Sequence, residues 1–154
     1  MAKKTSAANV TSAQLNSRLK KGELLPVYLL YGAEQGLLQA MAQRLMEAAV
    51  PKESRPMLLT RLEGDKLAMD QLIALCRTVP FLGERRCVVV SDFALDKLGK
   101  ADGEGMKQLL KAPSPFTVLL LTYSDPELDL TKAKWKPYLE EIKKVGVVCE
   151  FSHK

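Results

Sequence analysis

Histidine is nearly absent from this chain, which limits the chemistry that the protein can perform. The only histidine among the 154 residues is His153, next to the last position. A structural zinc site needs several histidine or cysteine ligands, and a Ser-His-Asp triad needs a histidine beside its nucleophile. The sequence therefore predicts neither a metal site nor the catalytic residues of a triad hydrolase.

Cysteine is scarce, and its spacing excludes the common redox and metal motifs. The three cysteines are Cys76, Cys87 and Cys149; none forms a Cys-x-x-Cys pair, and each lies in an apolar run. This pattern is typical of buried, reduced thiols.

Long apolar segments are also missing. No run approaches the roughly 20 residues that span a membrane. Residues 1–8 are polar and basic, without the apolar core of a signal peptide. We therefore expect no membrane partner and a cytoplasmic location.

The composition and the length of the chain indicate one globular domain, because 47% of the residues are hydrophobic and the length allows a sizeable core. Residues 1–10 are expected to form a flexible lead-in, and residues 11–154 a single domain. The formal net charge of +5 permits a nucleic-acid or an acidic protein partner without distinguishing between them.

Short apolar runs alternate with segments of helical periodicity along this domain. Strands are predicted over residues 27–31, 57–62, 87–91, 117–122 and 147–151, and helices over 12–20, 34–50, 66–78, 102–111 and 137–145. Strands that are apolar along most of their length are typical of parallel sheets covered on both faces. The predicted fold is α/β: a Rossmann-like, mostly parallel five-stranded sheet with helices on both faces.

The turn after the first strand is where this class of fold binds nucleotides. A phosphate loop of the form GxxxxGK[ST] starting at Gly32 needs a lysine and a hydroxyl residue where Leu38 and Gln39 stand. Glu34 would repel phosphate, and the dinucleotide pattern GxGxxG is absent. The sequence predicts a degenerate phosphate loop, in which Gly32 serves only the turn, and no cofactor.

The third strand ends at Asp92, as a metal-holding Walker B strand does. Phe93 follows where a second acidic residue is needed, so Asp92 is predicted to cap a turn or a helix. A P-loop-derived nucleotide-binding domain stays open as one alternative.

A basic region over residues 132–144 supports a second alternative, a nucleic-acid-binding domain. Lys132, Lys134 and Lys136 surround Trp135, the single tryptophan. A nucleic-acid reader would stack bases on Trp135 and place the lysines against phosphates. The interpretation that we favour is a solvated charged face, with Trp135 packed at the start of the last helix.

Two large apolar residues, Phe81 and Leu82, follow Pro80 on the connection before the third strand. Pro80 disfavours helical geometry at Val79 and redirects the chain. The two side chains either fold back onto the core or form an exposed anchor for a protein partner. Burial of each contributes about 1.5–3 kcal/mol, enough for an interface hot spot. The sequence pattern alone favours neither interpretation.

Four segments, in their order and spacing, resemble the N-terminal domain of the delta-subunit family of the bacterial DNA polymerase III clamp loader. They are residues 28–34, 80–90, 117–122 and 146–151. The resemblance implies an AAA+-type Rossmann-like domain with a degenerate P-loop that binds the sliding clamp (the beta subunit) and helps to open its ring. In this family two consecutive apolar residues enter the clamp's hydrophobic pocket. They match Phe81 and Leu82, with Thr78, Val79 and Pro80 bordering the contact.

Members of the family continue into a second small domain and a helical collar that joins the other clamp-loader subunits. This chain is therefore expected to be an excised N-terminal domain and not an enzyme by itself. The parent assembly resembles the DNA polymerase III holoenzyme, a DNA-directed DNA polymerase. DNA is a further candidate partner of the full complex.

Overall fold

The computed structural model describes residues 9–80 and 84–152 of the chain. Within these ranges the strands are β1 (Asn9–Val10), β2 (Val27–Tyr31), β3 (Leu59–Glu63), β4 (Arg86–Ser91), β5 (Thr117–Thr122) and β6 (Val147–Glu150). The α-helices in the same part of the chain are α1 (Ser12–Lys20), α2 (Gln35–Ala49), α3 (Arg55–Leu58), α4 (Met69–Arg77), α5 (Lys100–Lys111) and α6 (Lys136–Val145).

The strands form one six-stranded sheet in the order β1-β6-β2-β5-β4-β3, and all neighbours pair in parallel. The five predicted strands are present, which confirms the α/β prediction. The short strand β1 adds to them through the pairing of Val10 with Cys149. The prediction that all of residues 1–10 form a flexible lead-in is therefore wrong for Asn9 and Val10. A two-residue strand has no periodicity to recognise, and the free edge of β6 stabilises it.

Two of the boundaries that differ from the prediction do so because of short helical turns. Met57 and Leu58 were predicted in a strand but belong to α3, which Pro56 favours from its first turn. Residues 66–68 were predicted to be helical, but α4 begins only at Met69, after a 3-10 turn over Gly64–Lys66. Both shifts are typical of element boundaries, where local turn chemistry overrides periodicity.

The central strands are buried on both faces, as predicted from their continuous apolar character. In β2, Val27 and Leu29 face the layer formed by α4, α5 and α6. Tyr28 and Leu30 face the opposite layer, which contains α1 and α2. The sheet therefore separates two apolar cores, and each helix buries one stripe against it.

Because the strands are parallel and the helices return between them, the domain has two distinct edges. The C-terminal ends of β2 to β6, with the turns that follow them, form what we call the carboxyl edge. The N-terminal ends of the same strands, with the helix C-termini that precede them, form what we call the amino edge. The turn at Gly32 and the residue Asp92 lie at the carboxyl edge, and Thr78, Val79 and Pro80 follow α4 at the amino edge.

Candidate functional site

The turn after β2, at the carboxyl edge, is bound by the chain's own backbone. Gly32 has φ of +133°, and a Cβ added there would lie 2.4 Å from the carbonyl oxygen of Phe151. The amide of Glu34 donates to that same oxygen at 2.9 Å, and the amide of Phe151 donates to the carbonyl oxygen of Tyr31 at 2.8 Å. The turn is thus joined to the segment that follows β6, and glycine is required for this close approach.

Side chains occupy the rest of this turn. The Nε2 of Gln35 donates to the carbonyl oxygens of Gly32 at 2.8 Å and Tyr123 at 3.1 Å. Leu38, at the position where a phosphate loop carries its lysine, is fully buried against the sheet. Groups of the domain itself, through their hydrogen bonds and packing, therefore occupy the place where phosphates bind in related folds.

Asp92, directly after β4, is predicted to cap a turn or a helix, but its side chain instead binds the segment that follows β5. Its backbone adopts φ of +56°, the left-handed region that Asp tolerates better than most residues. Its two carboxylate oxygens accept hydrogen bonds from the backbone amide and the hydroxyl of Ser124, each at 2.8 Å. Among the described residues, no group of three or more His, Cys, Asp or Glu side chains could hold a metal ion.

Trp135 is packed inside the domain, so it cannot serve as a stacking platform for bases. Only 2% of its surface is exposed, and its ring meets that of Tyr123 edge-on with a centroid distance of 5.5 Å. The nucleic-acid interpretation was wrong on this point, and the packed alternative was right. Pro137 lies in the first turn of α6, where proline is compatible with helix geometry. Lys132, Lys134 and Lys136 remain exposed.

At the amino edge, the connection that follows α4 begins at an exposed apolar residue. Thr78 ends the helix with an extended backbone, and its hydroxyl donates to the carbonyl oxygen of Ala74 at 2.6 Å. Val79 is then 68% exposed, whereas Pro80 is buried. Phe81 and Leu82 lie outside the described residues, so their proposed role stays a prediction.

Two side chains hold the end of α4 in place. The hydroxyl of Thr117, at the start of β5, donates to the carbonyl oxygen of Cys76 at 2.8 Å in a buried contact. The guanidinium of Arg77 donates to the carbonyl oxygen of Ala112 and to the hydroxyl of Ser114. Unpaired C-terminal carbonyls of a helix attract such donors. Val79 is consequently presented from an anchored helix end.

The three cysteines are free and buried, as the sequence predicted. Burial is the main cause that raises the pKa of each thiol, to about 11 for Cys76 and about 12 for Cys87 and Cys149. The neutral thiol is therefore the stable form in the fold, which argues against a nucleophilic role.

No helix among the described residues is both long and apolar enough to cross a bilayer.

Sequence comparison then decides the family. A family model described as DNA polymerase III, delta subunit, matches residues 28–151. The chain belongs to the DNA polymerase III delta-subunit family. A curated relative, the DNA polymerase III subunit delta of Bacillus subtilis (strain 168), is 36% identical over 139 residues. That alignment covers 83% of this chain and 40% of the relative.

Solved structures agree with this assignment of the delta-family domain. The Bacillus subtilis DNA clamp loader delta protein matches with a TM-score of 0.74 and 32% identity, over 92% of this chain and 42% of that one. A DNA polymerase III gamma subunit-related protein from Thermotoga maritima matches at 0.55 and 17% identity, covering 91% and 45% of the two chains. The RuvB branch migration motor of Thermotoga maritima matches at 0.53 and 18%, covering 91% and 42%. These last two show the shared AAA+-type fold alone.

The delta-family domain thus spans about two fifths of the length of the relatives that it matches. The anchoring roles of Arg77 and Thr117 were not predicted from the sequence. A basic residue in the last turn of a helix is a recognisable signal for binding carbonyls. The contact of Thr117 with α4 joins residues 41 positions apart, and local patterns carry no information at that distance.

Proposed function

We propose that this domain binds the sliding clamp of the replication machinery and helps to open its ring. The observation that carries this proposal is the Pro-Phe-Leu connection after α4 in a chain of the delta-subunit family. Phe81 and Leu82 would enter an apolar pocket of the clamp, and Thr78, Val79 and Pro80 would border the contact.

The described part of the amino edge supports such a contact. Val79 is one of the three large apolar residues that are well exposed in the described part of the chain. Thr78 and Arg77 fix the end of α4, so the connection starts from an ordered position. An anchored apolar group loses less conformational freedom on binding, which raises affinity.

Ring opening would follow from differential affinity rather than from chemistry in this domain. A ligand shifts an equilibrium only by the difference of its affinities for the two states. The domain must therefore bind the distorted clamp interface more tightly than the closed one. Other loader subunits, which would join through regions outside this chain, and DNA would complete the assembly. We propose a cytoplasmic location for it.

We further propose that the domain uses no nucleotide. Gln35 and Phe151 occupy the turn after β2, and Leu38 is buried where a lysine is needed. Magnesium-ATP at millimolar concentration should leave the melting temperature unchanged. A rise that depends on nucleotide concentration would show binding to the native state.

Calorimetric titration with the sliding clamp of the same organism tests the main proposal. The double variant Phe81→Ala/Leu82→Ala should bind at least about 30-fold more weakly than the parent, as for an interface hot spot of about 2 kcal/mol. Leu37→Ala is the matched control, because Leu37 is a large apolar residue, 53% exposed, on α2 near the carboxyl edge. The control should bind like the parent. Failure of the folded parent to bind, or an equal loss in the control, would overturn the proposal.

A further inference from the structure

The outer strand β3 has one open side in the described part of the chain. It pairs with β4 along its whole length, and no other strand of residues 9–80 and 84–152 pairs with its opposite side. Helix α2 contacts β2, β4 and β5, and α4 contacts β5, so neither helix is centred over β3. Every residue of β3 is at least partly exposed, whereas residues 87–90 of β4 are buried. An open strand side of this kind is a template for pairing with another strand.

The peptide groups of β3 alternate between β4 and the open side. The carbonyl oxygen of Leu62 faces β4, where it accepts a hydrogen bond from the hydroxyl of Ser91 at 3.4 Å. Neighbouring residues of a strand direct their amide and carbonyl groups to opposite sides. Arg61 and Glu63, which flank Leu62, therefore direct these groups to the open side.

The side chains of the same two residues carry opposite charges. Arg61 and Glu63 are both exposed, and their spacing of two places them on one face of the sheet. The carboxylate of Glu63 lies 3.4 Å from the amino group of Lys66, but its side chain is still 68% exposed. Glu63 thus keeps room for a second cation.

We propose that β3 pairs antiparallel with β3 of a second copy of this chain, about a two-fold axis at Leu62. In this register Arg61 of each copy lies opposite Glu63 of the other. Each such pair would exchange two backbone hydrogen bonds and form an ion pair, and the two-fold axis repeats the contact.

Charge complementarity selects both the partner and this register. An axis at Arg61 would place two guanidinium groups opposite each other, and an axis at Glu63 would oppose two carboxylates, both of which are destabilising. Charges on an outer strand generally hinder association. Here they are complementary under two-fold symmetry, so they favour a second copy of the same strand. The inference needs no clamp and is independent of the proposed function.

Sedimentation velocity over a concentration series tests the dimer. The parent should show a reversible monomer–dimer equilibrium, and a weak one, because one strand from each copy makes a small interface. Arg61→Glu and Glu63→Arg each place like charges opposite each other, so each should weaken dimerisation at least about tenfold. The two variants change the net charge in opposite directions, so a loss in both cannot come from overall repulsion.

The double variant Arg61→Glu/Glu63→Arg restores opposite charges across the axis. It should dimerise within about threefold of the parent, since the two changes compensate each other only if the residues are paired. Lys134→Glu is the matched control, because it makes the same change of charge as Arg61→Glu at an exposed position outside β3. It should dimerise like the parent.

Amide hydrogen exchange of the parent gives a second measurement that needs no variant. The amides of Arg61 and Glu63 should exchange more slowly as the protein concentration rises. The amide of Leu62 faces β4 and should not respond.

Each contrary result overturns the inference. A parent that stays monomeric at every concentration would exclude the dimer. Dimerisation of the single variants at the parent's level would place the contact on another surface, and a double variant as weak as the single ones would exclude the register. Protection of the Arg61 and Glu63 amides only on addition of the clamp would assign the open side of β3 to the clamp. Clamp binding through residues 78–82 is tested separately and does not depend on these outcomes.

Discussion

The two edges of this sheet differ in how far the domain satisfies its own polar and apolar groups. At the carboxyl edge, Gly32, Gln35 and Asp92 bind neighbouring chain segments directly. At the amino edge, Val79 is exposed, and the exposed Arg85 lines an open groove. The carboxyl edge, where related folds hold nucleotides, is thus closed by internal contacts, and the opposite edge keeps groups available for a partner.

The largest expected effect is a loss of folding stability at high pH, and it involves both edges of the sheet. The folded pKa of each cysteine thiol lies above its ordinary value of 9.0. The stability from keeping these thiols neutral is present below pH 9 and is lost as the pH rises from 9 through about 11 to 12. Each thiol should cost about 2 kcal/mol by pH 10.5.

Urea unfolding at pH 8 and pH 10.5 measures this loss. One transition, followed equally by tryptophan fluorescence and circular dichroism, is expected because the thiols lie in cores that both edges share. Cys87→Ala and Cys149→Ala should each reduce the pH dependence. Two separate transitions would show that the edges unfold independently and would break the comparison.

Gly32→Ala should destabilise the closed edge by about 3 kcal/mol. A Cβ there meets the backbone of Phe151, and overpacking against backbone cannot relax cheaply. Gly36→Ala, with open space at its Cβ position in α2, is the control and should be neutral or stabilising by up to about 1 kcal/mol. Denaturant unfolding checks both variants. Equal stabilities would mean that the contact with Phe151 is not tight.

Asp92→Ala should cost about 1–2 kcal/mol, because it removes two hydrogen bonds to Ser124 and leaves a non-glycine residue at positive φ. Asp92→Gly loses the same hydrogen bonds but relieves the backbone strain, so it should be the more stable of the two. Thermal unfolding of the pair separates these contributions. A reversed order would argue that the hydrogen bonds alone determine this turn.

The smallest effect on folding is expected at the open edge. Val79→Ser should change the free energy of unfolding by less than about 0.5 kcal/mol, because most of the side chain is exposed to solvent. The same variant should weaken clamp binding several-fold in calorimetry. A large loss of stability would show that Val79 is structural, and the contrast between the edges would then fail.

The sequence predicted the functional region only in part. The degenerate phosphate loop was predictable from Leu38 and Gln39, because the motif is local and its chemistry demands particular residue types. The burial of Trp135 could be established only from the tertiary structure, since basic neighbours occur beside buried and exposed tryptophans alike. The anchoring of α4 by Thr117 and the groove beside Phe116 join distant segments, and they follow from packing.

The sequence by itself determined the α/β class, the alternation of strands and helices, and the buried thiols, because each depends on periodicity or on composition within one segment. Only the tertiary structure decided the strand order, the sixth strand at the edge of β6, and the anchoring of α4 by Thr117. The physical reason is that parallel strand pairing brings all helix C-termini to one side of the sheet. Residues scattered along the chain then share a surface that no local pattern reveals.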